Sequence, residues 1–188
     1  MTWAGSGDPG WVTDVLTFWF GEVGSDLWFA KDAALDATIR ARFSALHESL
    51  AAGTQQPQPD SPRAMLAAVI ATDQFPRNMY RGTPRAYESD AQALRWARDA
   101  TDHGLDSAMT AEERQFLYMP FQHSEDRADQ ARSVQLVRAL GNDEWTRYAL
   151  AHRDIIERFG RFPHRNTVLG RTCTPDELRL LDDPMGSF

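Results

Sequence analysis

The chain has 188 residues with 20 lysines and arginines, 27 aspartates and glutamates, and a formal net charge of −7. This acidic balance argues against nucleic acid or an anionic membrane surface as a partner, and the longest apolar run, Met65 to Ala71, is too short to span a bilayer. Cys173, the only cysteine, excludes an intrachain disulfide, so we expect a cytoplasmic protein. The length fits a single helical domain over residues 1–188.

Helical periodicity dominates the chain, and no segment alternates apolar and polar residues as a strand would. Capping residues divide it into about eight helices, and the short connections predict an all-α domain of antiparallel helix pairs. Residues 182–188 are predicted to form a frayed tail. The helices are predicted from Asp8 to Gly21, Asp32 to Ala52, Ser61 to Pro76, Tyr87 to His103, Thr110 to Phe121, Asp126 to Leu140, Asn142 to Gly160, and Asp176 to Leu181.

Local signals set the expected helix boundaries and faces. Asp8 is predicted to cap the first helix, with Pro9 at the first helical position. Pro76 is predicted to end the third helix, because proline has no backbone N–H and clashes with the preceding turn. His47 lies off the apolar stripe of the second helix and is expected to be solvated. The fourth helix is predicted to pack through Tyr87, Ala91, Leu94 and Ala97.

A basic loop follows the predicted seventh helix. Residues 158–175 contain no aspartate or glutamate, although the whole chain is acidic. A local positive charge of this kind attracts an anion, which is either a ligand group or one of the protein's own carboxylates. The charged and polar residues of this loop are Arg158, Arg161, His164, Arg165, Asn166 and Arg171.

Three predicted helices place ionisable residues on stripes that are otherwise apolar. Asp73 follows the stripe of the third helix at helical spacing, and His152 lies on the apolar face of the seventh. His123, Asp126 and Gln130 fall at positions i, i+3 and i+7. Buried ionisable groups need partners, because an unpaired one costs roughly several kcal/mol. The arginines of the two loops, after the third and the seventh helix, are plausible partners.

Two interpretations of these residues remain open. In the first, they form a structural network in which arginines bind carboxylates and helix carbonyls. In the second, the similar turns at residues 75–78 and 162–166 face each other across one cavity that binds phosphate or carboxylate. The predicted ligand-binding residues are Arg77, Asn78, Arg81, Gln130, Arg161, His164, Arg165 and Asn166.

Catalysis, if it occurs, would use a histidine for proton transfer. His123 or His152 is the natural general base or acid. Asp73, Glu125 or Asp126 could fix the tautomer of that histidine.

Other motifs are weaker. His123, Asp126 and a distant histidine, His152 or His164, could hold a divalent metal, but no compact ligand motif such as HExxH is present, so no metal site is predicted. Ser124 is either a nucleophile or a helix cap.

Cys173 lies near positive charge, which would activate a thiol, or is incidental beside a capping threonine. No glycine-rich phosphate loop or dinucleotide fingerprint is present, so no cofactor is assigned.

Several longer motifs resemble the bacterial domain of unknown function 924 family. Together they span about Trp11 to Leu181, nearly the whole chain, and the resemblance implies an all-helical fold similar to the tetratricopeptide-like superfamily. It implies no activity. The motifs are FWFG at Phe18 to Gly21, DQFPRNMYRGTP at Asp73 to Pro84, FLYMPFQHSED at Phe116 to Asp126, HRDIIERFGRFPHRNTVLGR at His152 to Arg171, and TPDE at Thr174 to Glu177.

The sequence supports two main hypotheses for function and leaves open whether the protein is an enzyme. The first is binding of, or catalysis on, a small anionic metabolite at a site lined by arginine, histidine and aspartate. The alternative is a protein or peptide interaction module, since tetratricopeptide-like stacks present a concave surface to peptides; the regular 34-residue repeat is not found. RNA binding fits the arginine loops but not the acidic whole.

Overall fold

The computed structural model describes residues 7–182, and these residues form helices and connecting segments without any β-strand. The predicted all-α class is therefore confirmed. The predicted tail at residues 182–188 lies outside the described residues from position 183 onward. The eight helices of the described residues are α1 Gly10–Thr17, α2 Ala33–Ala51, α3 Pro62–Val69, α4 Asp90–Asp102, α5 Ala111–His123, α6 Arg127–Arg138, α7 Asp143–Phe159 and α8 Pro175–Leu181.

Two helices continue beyond their regular α-helical part. Helix α1 runs on as the π-helical segment Phe18–Glu22, and α3 runs through the π-helical segment Ile70–Gln74 into the α-helical turn Phe75–Met79. We count each continuous run as one helix. Short 3₁₀ turns lie in the connections, at Ser25–Leu27, Pro84–Ala86, Leu105–Ala108 and Pro163–Arg165.

The described residues group into two compact units. The first contains the residues up to Arg81 together with Arg85–Pro120, and the second contains Gly82–Pro84 and the residues from Phe121 onward. In the first unit, α3 packs against α1 and α4, and α2 packs against Phe75–Met79. In the second unit, α6 packs against α7, and their short connection makes the pair antiparallel. The single domain over the whole chain stays a prediction.

Each unit has an apolar centre. In the first, the rings of Trp19 and Phe116 meet edge to face with centroids 5.5 Å apart, and Phe75 lies 5.7 Å from Trp19. In the second, Ile156 and Phe162 are completely buried. None of the helices within residues 7–182 is long and apolar enough to cross a membrane.

Side-chain caps explain where several helices begin. Asp32, Ser61 and Asn142 each accept a hydrogen bond from a backbone N–H in the first turn of the helix that follows. Thr110 with Glu113 and Thr174 with Glu177 form reciprocal capping boxes. Helix α7 ends at Phe159, and the residue that caps it, Gly160, has a left-handed φ of 68°, which favours glycine.

The first helix boundary differs from the prediction. Helix α1 begins at Gly10 with Pro9 at the N-cap, so Asp8 does not cap it. The Asp8 carboxylate instead accepts hydrogen bonds from Ser61 Oγ at 2.6 Å and from Arg63 Nε at 3.2 Å. The Asp8 side chain, which the local sequence predicted to be a helix cap, therefore makes tertiary hydrogen bonds instead.

Pro76 does not end the third helix, contrary to the prediction. The chain widens into a π-helical segment before the proline, and the helix continues to Met79. A backbone N–H at position 76 would bind the carbonyl of Thr72 in an α-helix or that of Ala71 in a π-helix. Proline has no N–H, so the carbonyl that this N–H would have bound needs another donor.

Side chains from three places satisfy successive carbonyls of this π-helical segment. These bonds hold the widened turn in place, because a buried carbonyl without a donor costs about 1–3 kcal/mol. The bonds run from His47 Nδ1 to Ala71 O at 3.1 Å, from Ser89 Oγ to Thr72 O at 2.6 Å, and from Arg77 Nη1 to Asp73 O at 2.7 Å.

Two expectations about which helix residues are buried are wrong. His47 is buried rather than solvated, because its ring reaches the π-helical segment; burial lowers its pKa although the hydrogen bond to Ala71 opposes that shift. Helix α4 begins three residues later than predicted. Its buried face includes Trp96, which the prediction placed to the side of the packed stripe. The buried residues of α4 are Ala93, Trp96, Ala97 and Ala100.

Candidate functional site

The predicted site residues of the first unit bind carboxylates of the chain itself. Arg77 makes a two-pronged contact with Asp90, Nη1 to Oδ1 at 2.9 Å and Nη2 to Oδ2 at 3.0 Å. Its Nη2 also lies 3.7 Å from the completely buried carboxylate of Asp73. Burial alone would lower the pKa of Arg77, but the two carboxylates raise it, so the guanidinium stays charged.

Asp36 on α2 binds the other two predicted ligands of this unit. Asn78 Nδ2 donates to Asp36 Oδ1 at 2.7 Å, and Arg81 donates to both carboxylate oxygens at 2.6 and 3.0 Å. These contacts tie the segment after Pro76 to α2. The geometry of Arg77, Asn78 and Arg81 thus favours the structural network for the first unit, and anion binding by them stays a prediction.

In the second unit, Glu125 binds the basic loop at two points, Phe162 and Arg171. Its Oε1 accepts the backbone N–H of Phe162 at 2.8 Å, and Arg171 binds both carboxylate oxygens at 2.8 and 3.0 Å. Burial would raise the pKa of Glu125, but these hydrogen bonds and the charges of Arg171 and Arg165 lower it below its usual value. Glu125 therefore carries a structural charge at neutral pH.

A second ion pair fixes the loop to the start of α8. Arg161 donates from Nε and Nη2 to the buried carboxylate of Glu177 at 2.6 and 2.8 Å. Hydrogen bonds from Arg161, Thr174 and Asn166 lower the pKa of Glu177 to about 2 against the opposing effect of burial. Arg161, predicted as an anion ligand, thus binds a carboxylate of the chain.

Two histidines and an arginine lie against the ring of Phe162, and a third histidine lies beside one of them. We call His123, His152, His164 and Arg165 the histidine–arginine cluster. The ring centroids of His123 and His152 are 6.4 Å apart, and those of His152 and Phe162 are 5.6 Å apart. His164 lies 5.5 Å from Phe162, and the Arg165 guanidinium carbon lies 4.7 Å from the same ring centre. The sequence predicted these four polar residues; the structure of the second unit brings them together.

His152 is the most deeply buried histidine of this cluster, with 7% of its surface exposed. Burial lowers its pKa to about 3, and electrostatic interactions with His123, His164 and Arg165 act in the same direction. Its Nδ1 lies 2.9 Å from the carbonyl oxygen of Tyr148, which can only accept, so Nδ1 carries the proton. At neutral pH the ring is uncharged, with a lone pair on Nε2.

The start of α6 accounts for two further candidates. Asp126 accepts hydrogen bonds from the backbone N–H groups of Ala128 and Asp129 and is the N-cap of α6. Ser124 Oγ donates to Asp129 Oδ2 at 2.7 Å. These bonds give Asp126 and Ser124 a structural role at the start of α6. A catalytic role for either residue stays a prediction.

No group of histidine, cysteine and acidic residues within residues 7–182 has the arrangement to hold a metal ion. Cys173 is partly exposed, and its Sγ accepts a hydrogen bond from Asn166 Nδ2 at 3.3 Å. The expectation that the turns at 75–78 and 162–166 share one cavity stays a prediction.

The predicted site residues omitted three residues that shape this region: Phe162, Glu177 and Arg171, which was counted only as part of the basic loop. Phe162 is an aromatic residue within a basic loop, yet it is completely buried, and its ring contacts His152 and His164. An apolar residue within a strongly charged run is the signal that could have found it. The carboxylate partners of Arg161 and Arg171 come from other elements and leave no mark in the local sequence.

The family model described as bacterial protein of unknown function (DUF924) matches residues 15–185. The chain therefore belongs to this family, as the motifs in its sequence indicated. It is also similar to the solved structure of a protein of unknown function from Agrobacterium tumefaciens, with 41% identity, a TM-score of 0.87, and coverage of 91% of this chain and 96% of that one. A search of curated proteins gave no significant match.

Proposed function

We propose that the protein binds a small anionic metabolite, bearing a carboxylate or phosphate group, at the histidine–arginine cluster. The observation that carries this proposal is that His152, His164 and Arg165 lie against Phe162, with His123 beside His152, in a chain whose net charge is −7. The planar fork of donors on a guanidinium matches the geometry of a carboxylate or phosphate.

The local charge supports an anion. The charges of Arg171 and Arg165 both lower the pKa of Glu125, so positive charge acts on a carboxylate in this part of the molecule. The groups that act on the charge of His152 are His123, His164 and Arg165, and each opposes its protonation. A negative group placed there would relieve this repulsion.

The low pKa of His152 favours binding over proton transfer at neutral pH. A general base works best when its pKa lies near the working pH, whereas His152 has a pKa of about 3. In the free protein, the His152 ring is therefore uncharged at neutral pH. A bound anion would raise its pKa, so a catalytic part for His152 depends on the ligand being present.

A thermal-shift screen against carboxylated and phosphorylated metabolites tests the proposal. A ligand at about 100 times its dissociation constant adds about 2.7 kcal/mol of stability, which raises the midpoint by roughly 5–10 °C in a domain of this size. We expect Arg165→Met to abolish the shift, because methionine keeps much of the apolar stem and removes the charge.

Arg158 provides a matched control for this variant. Its guanidinium carbon also lies over a phenylalanine ring, 4.8 Å from the centre of Phe159, but its side chain is outside the cluster. Arg158→Met should keep the ligand-induced shift. If no anion shifts the midpoint of the wild-type protein, or if both variants lose the shift equally, the proposal fails and the interaction-module hypothesis gains support.

A further inference from the structure

An open groove lies between the end of α7 and the start of α8, both in the second unit. Arg158, Phe159 and Arg161 line it together with residues 174–177 and Arg179. Its volume is about 750 Å³, within the range of roughly 300–1,000 Å³ that holds ligands of drug size. The groove therefore has room for a short segment of another chain.

Arg158 brings a positive charge to this groove. It is exposed, and its guanidinium carbon lies 4.8 Å from the ring centre of Phe159. Within residues 7–182 the guanidinium makes no hydrogen bond and no ion pair. The acidic residues that precede it on α7, Asp154 and Glu157, contact Arg153 instead. The N–H donors of Arg158 are therefore open to a carboxylate from outside this part of the chain.

Arg161 adds a second set of donors in a fixed position. Its Nε and Nη2 bind Glu177, and Nη2 also donates to the carbonyl oxygen of Thr172 at 2.9 Å. The remaining nitrogen, Nη1, donates to no group in the described part of the chain. Because Glu177 already orients the guanidinium, Nη1 can bind an incoming acceptor with little further loss of side-chain freedom.

The charged residues that line the groove are three arginines and two carboxylates. Arg161 binds Glu177, and Arg179 binds Asp176, so the charge of Arg158 is the one without a counterpart among the lining residues. The chain also runs from Arg158 to Pro175 without an acidic residue. The groove is therefore complementary to an acidic partner.

Apolar surface lies beside these charges. Phe159 is partly buried and packs against the apolar centre of the second unit, and Pro175 also lines the groove. Leu178, on α8, is 52% exposed. Arginine and aromatic side chains are enriched where proteins bind one another. The groove thus offers contacts to a carboxylate and to an apolar side chain next to it.

This composition favours a protein segment over other anions. A nucleic acid would bring a row of phosphates towards Asp176 and Glu177 and towards a chain whose net charge is −7. A small anion would gain little from exposed arginines, because water and salt screen such pairs. A peptide segment adds apolar contacts to the ion pair.

We propose that the groove docks an acidic segment of a partner protein. A carboxylate of the segment binds Arg158, an adjacent apolar side chain covers Phe159 and Pro175, and a further carboxylate or backbone carbonyl binds Arg161 Nη1. This inference is independent of the proposed function, because none of these residues belongs to the histidine–arginine cluster.

Two matched arrays of hexapeptides test the inference on the full chain. In the first, each peptide carries two glutamates among randomised apolar residues; in the second, glutamines replace the glutamates. The peptides that bind are then labelled and titrated by fluorescence anisotropy. We expect the glutamate peptides to bind at least about tenfold more tightly than their glutamine counterparts, and salt to weaken this preference.

Two variants locate the docking site. Arg158→Met keeps an apolar stem beside Phe159 and removes the charge, so we expect it to weaken binding of the best glutamate peptide about three- to fivefold. Arg147→Met is the matched control. Arg147 is also an exposed arginine of α7 over an aromatic ring, 5.6 Å from the centre of Tyr148, but it does not line the groove. Its variant should bind the peptide like the wild-type protein.

The outcomes also separate this inference from the proposed function. If no glutamate peptide binds more tightly than its glutamine counterpart, or if the two variants lose binding equally, the inference is overturned. A single-stranded RNA oligonucleotide that displaces the peptide and loses affinity in Arg158→Met would overturn the choice of a protein partner. Weaker peptide binding in Arg158→Met with an unchanged metabolite-induced thermal shift would support a docking groove distinct from the cluster.

Discussion

His152 shows how burial sets the charge of one side chain in this protein. Its Nδ1–H is held by the Tyr148 carbonyl, and its pKa falls from 6.5 to about 3 mainly because the ring is removed from water. The unfolded chain binds a proton near pH 6.5, whereas the folded chain does not until about pH 3. Stability from this residue is therefore complete above pH 6.5 and is lost as the pH falls towards 3.

We predict that the pH dependence of stability is weaker in His152→Gln. Between pH 6.5 and 4.5 the wild-type protein should lose free energy of unfolding with a slope approaching about 1.4 kcal/mol per pH unit from this residue. His47, whose pKa is also lowered, contributes in the same direction, and Glu125 and Glu177 add losses only below their usual pKa of 4.5. Urea unfolding across this range measures the difference; identical slopes would contradict the assignment.

Glu125 shows the opposite case, a carboxylate kept charged by its partners. We predict that Glu125→Gln has two effects of opposite sign. The free energy of unfolding should fall by about 1–2 kcal/mol after solvent screening, because Arg171 loses its charged partner. The affinity for an anion should rise, because the region loses a negative charge. Glutamine can still accept the Phe162 N–H. Glu157→Gln, an exposed change, should alter neither quantity by much, and a loss of anion affinity in Glu125→Gln would contradict this view of the charge balance.

At the scale of secondary structure, the sequence predicted helix starts better than helix interiors. The caps at Asp32, Ser61 and Asn142 depend on bonds within one turn, so local sequence specifies them. The π-helical segment before Pro76 depends on donors from distant residues, His47 and Ser89, which no local pattern reveals. The class of fold was therefore predictable, and this feature was not.

The π-helical segment gives a prediction about one hydroxyl. Ser89→Ala removes the donor to the buried Thr72 carbonyl, so we expect a loss of about 1–3 kcal/mol in the free energy of unfolding. Ser107 makes a similar bond to the Gly104 carbonyl at 2.7 Å in an exposed turn. Water can replace the hydroxyl there, so Ser107→Ala should change stability by less than about 0.5 kcal/mol. Equal losses in the two variants would show that the π-helical carbonyl does not depend on Ser89.

At the scale of the whole molecule, two sets can be distinguished among the basic residues that the sequence predicted as site residues. Arg77, Arg81 and Arg161 bind carboxylates and brace the segments after helices. In the histidine–arginine cluster, within the second unit, His152, His164 and Arg165 lie against the buried ring of Phe162, and His123 lies beside His152. The sequence identified most members of both sets but could not predict the carboxylate partners of the first set, because those carboxylates come from other elements of the fold.

The most direct measurement of anion binding at the cluster is an NMR titration that follows the ring signals of all five histidines. We predict that a bound carboxylate shifts the signals of His123, His152 and His164 along a saturating curve. The signals of His47 and His103, which belong to the first unit, should stay in place and serve as internal controls. Unchanged cluster signals at saturating carboxylate and phosphate, or equal movement of all five, would contradict an anion site at this cluster.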